Sequence, residues 1–418
     1  MTKTTRRFLA ALLGLAGAVA TASGQSYEAF QSEWTRVTQN AAFHLGPFQA
    51  FLSFDLRRVG YGDNVYFEER PIKDFTATLV PSLTFYLPLR RRAIFYFRES
   101  PEYTFYLRES GMREFTNGYG AGGKVLLFNR FVLSGDFERQ SRIQAISVEL
   151  GRPTRETRVA TSAGLFYETA RRTSLGLTGS IQKSSYADVS SDSGEIPLSS
   201  VLDRTERTAA VELYYRIRSE AFWFVKAGLT DYRFVLSAES RDATSAQVLT
   251  GIRFPILGRI SGTVSLGYKK FDPKAPGRAS YAGLIADSLI EARTGRFSVR
   301  AGFRRDLGFS YFENAFFYIE DGFSAGGSFY PAGFVRLDYS YNQSRLGYPG
   351  IEAAAAFAGG PVTGPRTDRL WTHSAALVFR VLRTAGLGIQ AAMDRWTSSV
   401  PGWDRDRIYA GVYLTSRF

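Results

Sequence analysis

From about residue 48 to the C-terminus the chain alternates apolar and polar positions with period two, the spacing at which a β-strand turns one side-chain row to each face of a sheet. In the last segment Ile408, Ala410, Val412, Leu414 and Phe418 share one parity, and Tyr409, Gly411, Tyr413, Thr415 and Arg417 the other. The same split sets Val335, Leu337, Tyr339 and Tyr341 against Arg336, Asp338, Ser340 and Asn342. It sets Phe297, Val299, Ala301 and Phe303 against Ser298, Arg300, Gly302 and Arg304, and Ile260, Val264, Leu266 and Tyr268 against Ser261, Thr263, Ser265 and Lys269. Repetition is what gives these segments weight. They predict strands over 48–58, 74–87, 93–107, 117–128, 131–141, 156–169, 173–184, 205–218, 221–236, 243–256, 259–270, 280–292, 296–306, 312–325, 334–344, 368–382, 387–396 and 406–418. That is about 18 strands, or 16 if neighbouring segments merge.

The polar rows carry too many charges for the dry core of a sandwich, because a buried charge needs water or a partner. Beyond the first two dozen residues no run of 18 apolar residues occurs, so a membrane could be crossed only by a closed barrel. The expected fold is therefore all-β: a transmembrane, antiparallel, up-and-down β-barrel. The connections support it, since barrels of this kind have short periplasmic turns and longer extracellular loops. Links around 89–91, 129–130, 171–172, 219–220, 258, 294–295, 331–332 and 384–385 are short and follow even-numbered strands. Long segments rich in Gly, Pro, Asp and Ser, such as 59–73, 143–155, 186–203 and 346–367, follow odd ones.

At the N-terminus Lys3, Arg6 and Arg7 precede an apolar run from Phe8 to Ala20 and the small residues Ala22-Ser23-Gly24. This predicts a cleaved secretory signal over 1–24, because the run is shorter than the ~20 residues of a membrane anchor. Residues 25–47 then read as a short periplasmic leader with no room for a plug, and 48–418 as the barrel. The net charge of +13 keeps about +10 after the signal, with Arg scattered rather than massed, which argues against nucleic acid. Aromatic residues are 15 % of the chain, and Phe85, Phe128, Trp223, Phe254, Phe297, Tyr330, Trp371 and Phe418 fall at predicted strand ends, as in interfacial girdles. The terminal Phe418 also resembles the signal read by the outer-membrane assembly machinery, although Ser416 departs from that pattern. The expected partners are thus outer-membrane lipid and that machinery.

Gly258 to Tyr318 reads GRISGTVSLGYKKFDP and then SYAGLIADSLIEARTGRFSVRAGFRRDLGFSYFENAFFY. The order of a strand ending GYKKFD, a short loop and an RTGRFSVRAGFRR strand resembles the putative β-barrel porin 2 family. The resemblance implies a barrel often associated with exopolysaccharide systems, with polysaccharide and a periplasmic export apparatus as possible partners. It brings no catalytic residues.

Chemistry is sparse. The chain has no cysteine and only His44 and His373, so neither a disulfide nor a metal cluster is expected, and no cofactor, phosphate loop or nucleophile motif is present. His373 shares the parity of Trp371 and reads as part of a lipid-facing girdle. An enzyme is not expected. The parity rule places Lys124, Lys226, Lys269, Arg300, Arg304, Arg336 and Arg380 toward the lumen, with Asp55, Asp136, Glu138, Glu168, Glu212, Asp338 and Asp394 on the same side. Two functions fit: a conduit for polysaccharide or other anionic solutes, or a closed barrel serving structure or surface binding.

Overall fold

The structure, a computed structural model, describes residues 27–67, 70–144, 154–169, 172–191, 194–218, 221–256, 259–311, 315–349, 366–400 and 403–417. The predicted signal segment and Phe418 lie outside the described residues. Eighteen long strands form the wall: β1 (Phe48–Gly62), β2 (Asp74–Leu89), β3 (Ala93–Tyr106), β4 (Glu114–Leu127), β5 (Phe131–Gln144), β6 (Thr154–Glu168), β7 (Thr173–Tyr186), β8 (Arg204–Arg218) and β9 (Ala221–Phe234). The circuit continues through β10 (Ala243–Ile256), β11 (Ile260–Pro273), β12 (Tyr281–Thr294), β13 (Phe297–Phe309), β14 (Phe317–Ala332), β15 (Val335–Gly347), β16 (Thr367–Arg380), β17 (Ala385–Ser398) and β18 (Arg405–Arg417). Each pairs antiparallel with its chain neighbours, and β1 pairs with β18 from Ser53↔Arg417 to Gly62↔Tyr409. The sheet is closed and has no free edge, as a wall in hydrocarbon requires.

Closure needs one irregularity. Between Leu56↔Leu414 and Val59↔Val412 the first strand holds one residue more than its partner. Arg58 takes a positive φ of 51° there, and the Thr76 hydroxyl donates to its carbonyl at 3.1 Å. This bulge increases the local twist. Gly60 and Gly411 meet directly beyond it, where a Cβ on either would strike the opposite backbone.

The faces follow the alternation. Phe95, Leu177, Leu229, Val264, Phe303 and Ile389 point outward and are 42–65 % exposed, a continuous apolar surface that a soluble protein rarely shows. Aromatic pairs ring its short-turn end, with Phe131 stacked on Tyr167 at 4.6 Å and Phe297 on Phe329 at 4.7 Å. Trp223, in the same tier, donates its indole N–H to the Thr250 hydroxyl at 3.0 Å. The short turns keep their alternation: Arg90 and Arg91 (φ 47° and 56°), and Phe128 and Asn129 (φ 51° and 55°), occupy the left-handed region that two-residue hairpins need.

Two expectations need correction. The fourteenth strand was expected over 312–325 but runs Phe317–Ala332. The apolar residues Ala315 and Phe316 pack into interior clusters instead of the wall. Pro331, expected in a turn, stands at the register shift between Phe329 and Ala332, where its missing N–H breaks no ladder bond. Second, the segment expected to be a leader contains α1 (Tyr27–Asn40), whose contacts lie on the inner wall.

Lipid contact predicts unequal outcomes for neighbouring substitutions in β11. Val264→Arg, outward and near mid-wall, should lose about 2–4 kcal/mol, whereas Thr263→Arg, inward, should lose little. Urea titration of the protein refolded into vesicles checks this; equal losses would invalidate the face assignment.

Candidate functional site: the barrel interior

The inner wall has three tiers. At the short-turn end α1 presents Phe30, Trp34 and Val37, a helical i, i+4, i+7 stripe, with Phe30 and Val37 fully buried. Phe30 packs with Ile94, Leu126, Val132 and Phe166, and Trp34 joins from the side. Lys124 donates to Glu33 at 2.7 Å, and Arg36 donates to the Tyr86 hydroxyl at 3.0 Å while lying over the Phe51 ring. Burying each apolar side chain stabilises the docked helix by roughly 1.5–3 kcal/mol. These partners belong mainly to β1–β6, so the helix lines one arc of the wall.

At the long-connection end aromatic rings from wall and loops pack together. Phe234, Phe271, Phe309 and Phe316 lie 5.4–6.0 Å apart by ring centroids. Buried Arg241, in α3 (Ala238–Arg241), donates to the Ser310 carbonyl at 2.7 Å and the Val201 carbonyl at 3.3 Å. It thereby joins three connections, one of them through α2 (Leu198–Leu202). Asp203, just after α2, accepts the Tyr186 backbone N–H at 2.7 Å, yet burial pushes its carboxyl above the usual range.

Between these tiers the inward rows are polar and small: Ser261, Thr263 and Ser265 on β11, Gly322, Ser324, Gly326 and Ser328 on β14, and Ser340, Asn342 and Ser344 on β15. The charges expected here do face inward, and most are paired. Lys226 meets Glu212 at 3.3 Å, and Glu212 accepts from the Tyr214 hydroxyl at 2.7 Å. Lys269 meets Asp306 at 2.7 Å, Arg336 meets Asp338 at 2.7 Å, and Asp136 accepts from the Tyr96 hydroxyl at 2.5 Å. Arg98–Glu138 and Arg407–Asp394 extend the set. Parity should have named Arg98, Arg253 and Arg407 as well, since they obey the same rule. Arg300, Arg304 and Arg380 differ. Among the described residues none of them has an ion pair or side-chain hydrogen bond. Arg300 lies against Gly326, and Arg304 pairs in register with Gly322, so glycine leaves space in front of both.

His373 lies mid-strand on the outer face, not in an end girdle. Its Nδ1 shares a hydrogen bond with the Tyr339 hydroxyl at 2.9 Å, and its ring lies 4.9 Å from Tyr341. A polar group at lipid depth requires such a partner.

The sequence model of the family described as putative beta-barrel porin 2 matches residues 129–302. That stretch carries β5–β12 whole and the Arg300 half of β13. No curated protein matches. Among solved structures, Acinetobacter baumannii OccAB3 superposes with a TM-score of 0.50 at 10 % identity, covering 90 % of this chain and 100 % of that one. The outer membrane protein OpdK from Pseudomonas aeruginosa gives 0.49 at 12 %, covering 88 % and 98 %. At such identities the likeness is one of fold: a porin-like barrel.

Phe30→Ala should remove about 3–5 kcal/mol of packing and release α1. Limited proteolysis of the folded protein should then cut within 27–40 while the wall stays intact. A helix as protected as in the wild type would contradict the docking.

Proposed function

We propose that this chain is an outer-membrane channel for anionic, hydroxyl-rich solutes. The observation that carries the reading is the pair Arg300 and Arg304, inward cations with glycine opposite on β14 and with Glu291 and Asp287 in register on β12, yet in an ion pair with neither acid, Glu291 being held by Arg293. A fixed charge without a protein partner is available to a permeating anion, whereas the paired Lys226, Lys269 and Arg336 act as structural charges. Serine, threonine and asparagine rows beside the two arginines supply hydroxyl and amide partners for sugars. Acidic saccharides therefore suit the interior, and an exported polysaccharide strand is the more specific form of the same reading. That form would bring a periplasmic apparatus to the short-turn mouth, where α1 sits.

In planar bilayers the folded protein should favour anions, less so as salt rises. Arg300→Gln with Arg304→Gln should move the reversal potential toward cations with folding unchanged. Arg336→Gln should instead impair folding, because it strands Asp338. A folded, inserted barrel that passes no current in any salt would rule out the channel and favour a closed structural barrel.

A further inference from the structure

The outer wall carries a second unmatched pair of charges. At the long-connection ends of β15 and β16, Arg345 and Arg369 are direct register partners. Their neighbours Leu346 and Asp368 are buried inside the barrel, so alternation turns both guanidinium groups outward, and both residues are exposed. Like charges directly opposite on one face destabilise a sheet. Among the described residues neither guanidinium has a hydrogen bond or ion pair.

The outward acids nearby are already engaged. Asp321, the register partner of Arg345 on β14, is held by Arg305 at 2.6 Å. Asp406 faces Arg395 at 3.6 Å. Arg305 and Arg395 take these two aspartates, and Asp404, exposed on the same rim, accepts the Ser398 backbone N–H. Immediately toward mid-wall come Trp371 and Gln343, then Tyr341 and His373, and then Tyr339, Leu337, Ala375 and Leu377 of the apolar belt. Cations, then aromatic rings, then hydrocarbon is the order in which a charged lipid presents its complement: headgroup above, acyl chains below.

We propose that Arg345 and Arg369 clamp a phosphate of a phosphorylated membrane lipid, whose acyl chains lie along Tyr339 and Leu337. Two guanidinium forks can share one phosphate through charge-assisted hydrogen bonds, and the anion removes their mutual repulsion. The inference rests on the chain spanning a membrane but not on its conducting.

The test is native mass spectrometry of the full folded barrel in uncharged detergent, with a bisphosphorylated, acylated glucosamine disaccharide as probe. The wild type should retain one probe molecule, and millimolar inorganic phosphate should not displace it. Arg345→Gln with Arg369→Gln should weaken retention about tenfold or more. Arg90→Gln with Arg91→Gln, the same change in charge at the opposite end, should leave it intact. The paired Lys variants, which keep the charge without the fork, should also weaken it. Heat-modifiable migration reports folding, and the Gln pair should fold at least as well as the wild type without lipid, because a repulsion is gone. Equal retention by the Gln pair, or equal loss in the Arg90/Arg91 variant, would overturn the site. So would displacement by inorganic phosphate, which would make the ligand a soluble anion. Failure of these arms in a barrel that conducts would overturn the lipid site alone.

Discussion

A peptide N–H in hydrocarbon has no water to turn to, and this constraint shapes the whole chain. Satisfying it within the wall forces strands to pair on both edges, which forces closure. Closure in turn forces alternation, because each strand then has lipid on one side and an enclosed interior on the other. The outward Leu, Val, Ile and Phe and the inward Ser, Thr, Gly and ion pairs are consequences of this single requirement. Even the outward His373 obeys it, since Tyr339 supplies the partner that lipid cannot.

The interior faces the converse problem. Charges brought inside must be matched or hydrated, and the wall does both. Lys226–Glu212 and Lys269–Asp306 pin adjacent or near-adjacent strands to one another, and Arg336–Asp338 couples two inward positions of a single strand. Arg300 and Arg304 stand in no ion pair among the described residues and are left to water. Two apolar tiers narrow the ends by different means: a helix that precedes the first strand at one, and loops carrying buried arginine and phenylalanine at the other.

How much of this could be read in advance depended on range. Strand number, strand parity and the alternation of short and long connections were legible, because period-two patterning and turn residues are local signals. The inward side of Lys226 or Arg300 followed from the same rule. Which of them was paired did not, because Asp306 reaches Lys269 only through strands that are 37 positions apart in sequence. The docked α1 was missed even though its stripe Phe30, Trp34, Val37 was visible; the receiving surface, Ile94, Leu126, Val132 and Phe166, comes together only when four strands line up. The shifted β14 was missed for a related reason, since Ala315 and Phe316 look like wall residues until the loops that bury them are in place.

The bulged junction of β1 and β18 has a mechanical meaning. It holds eight register pairs, against thirteen between β16 and β17 and fourteen between β5 and β6. Its Gly60–Gly411 contact adds no side-chain packing of its own. A hoop under tension yields at its thinnest joint, so this seam is where the cylinder would part first when its circumference is stretched. The first and last strands, farthest apart along the chain, also have the least to hold them once they meet.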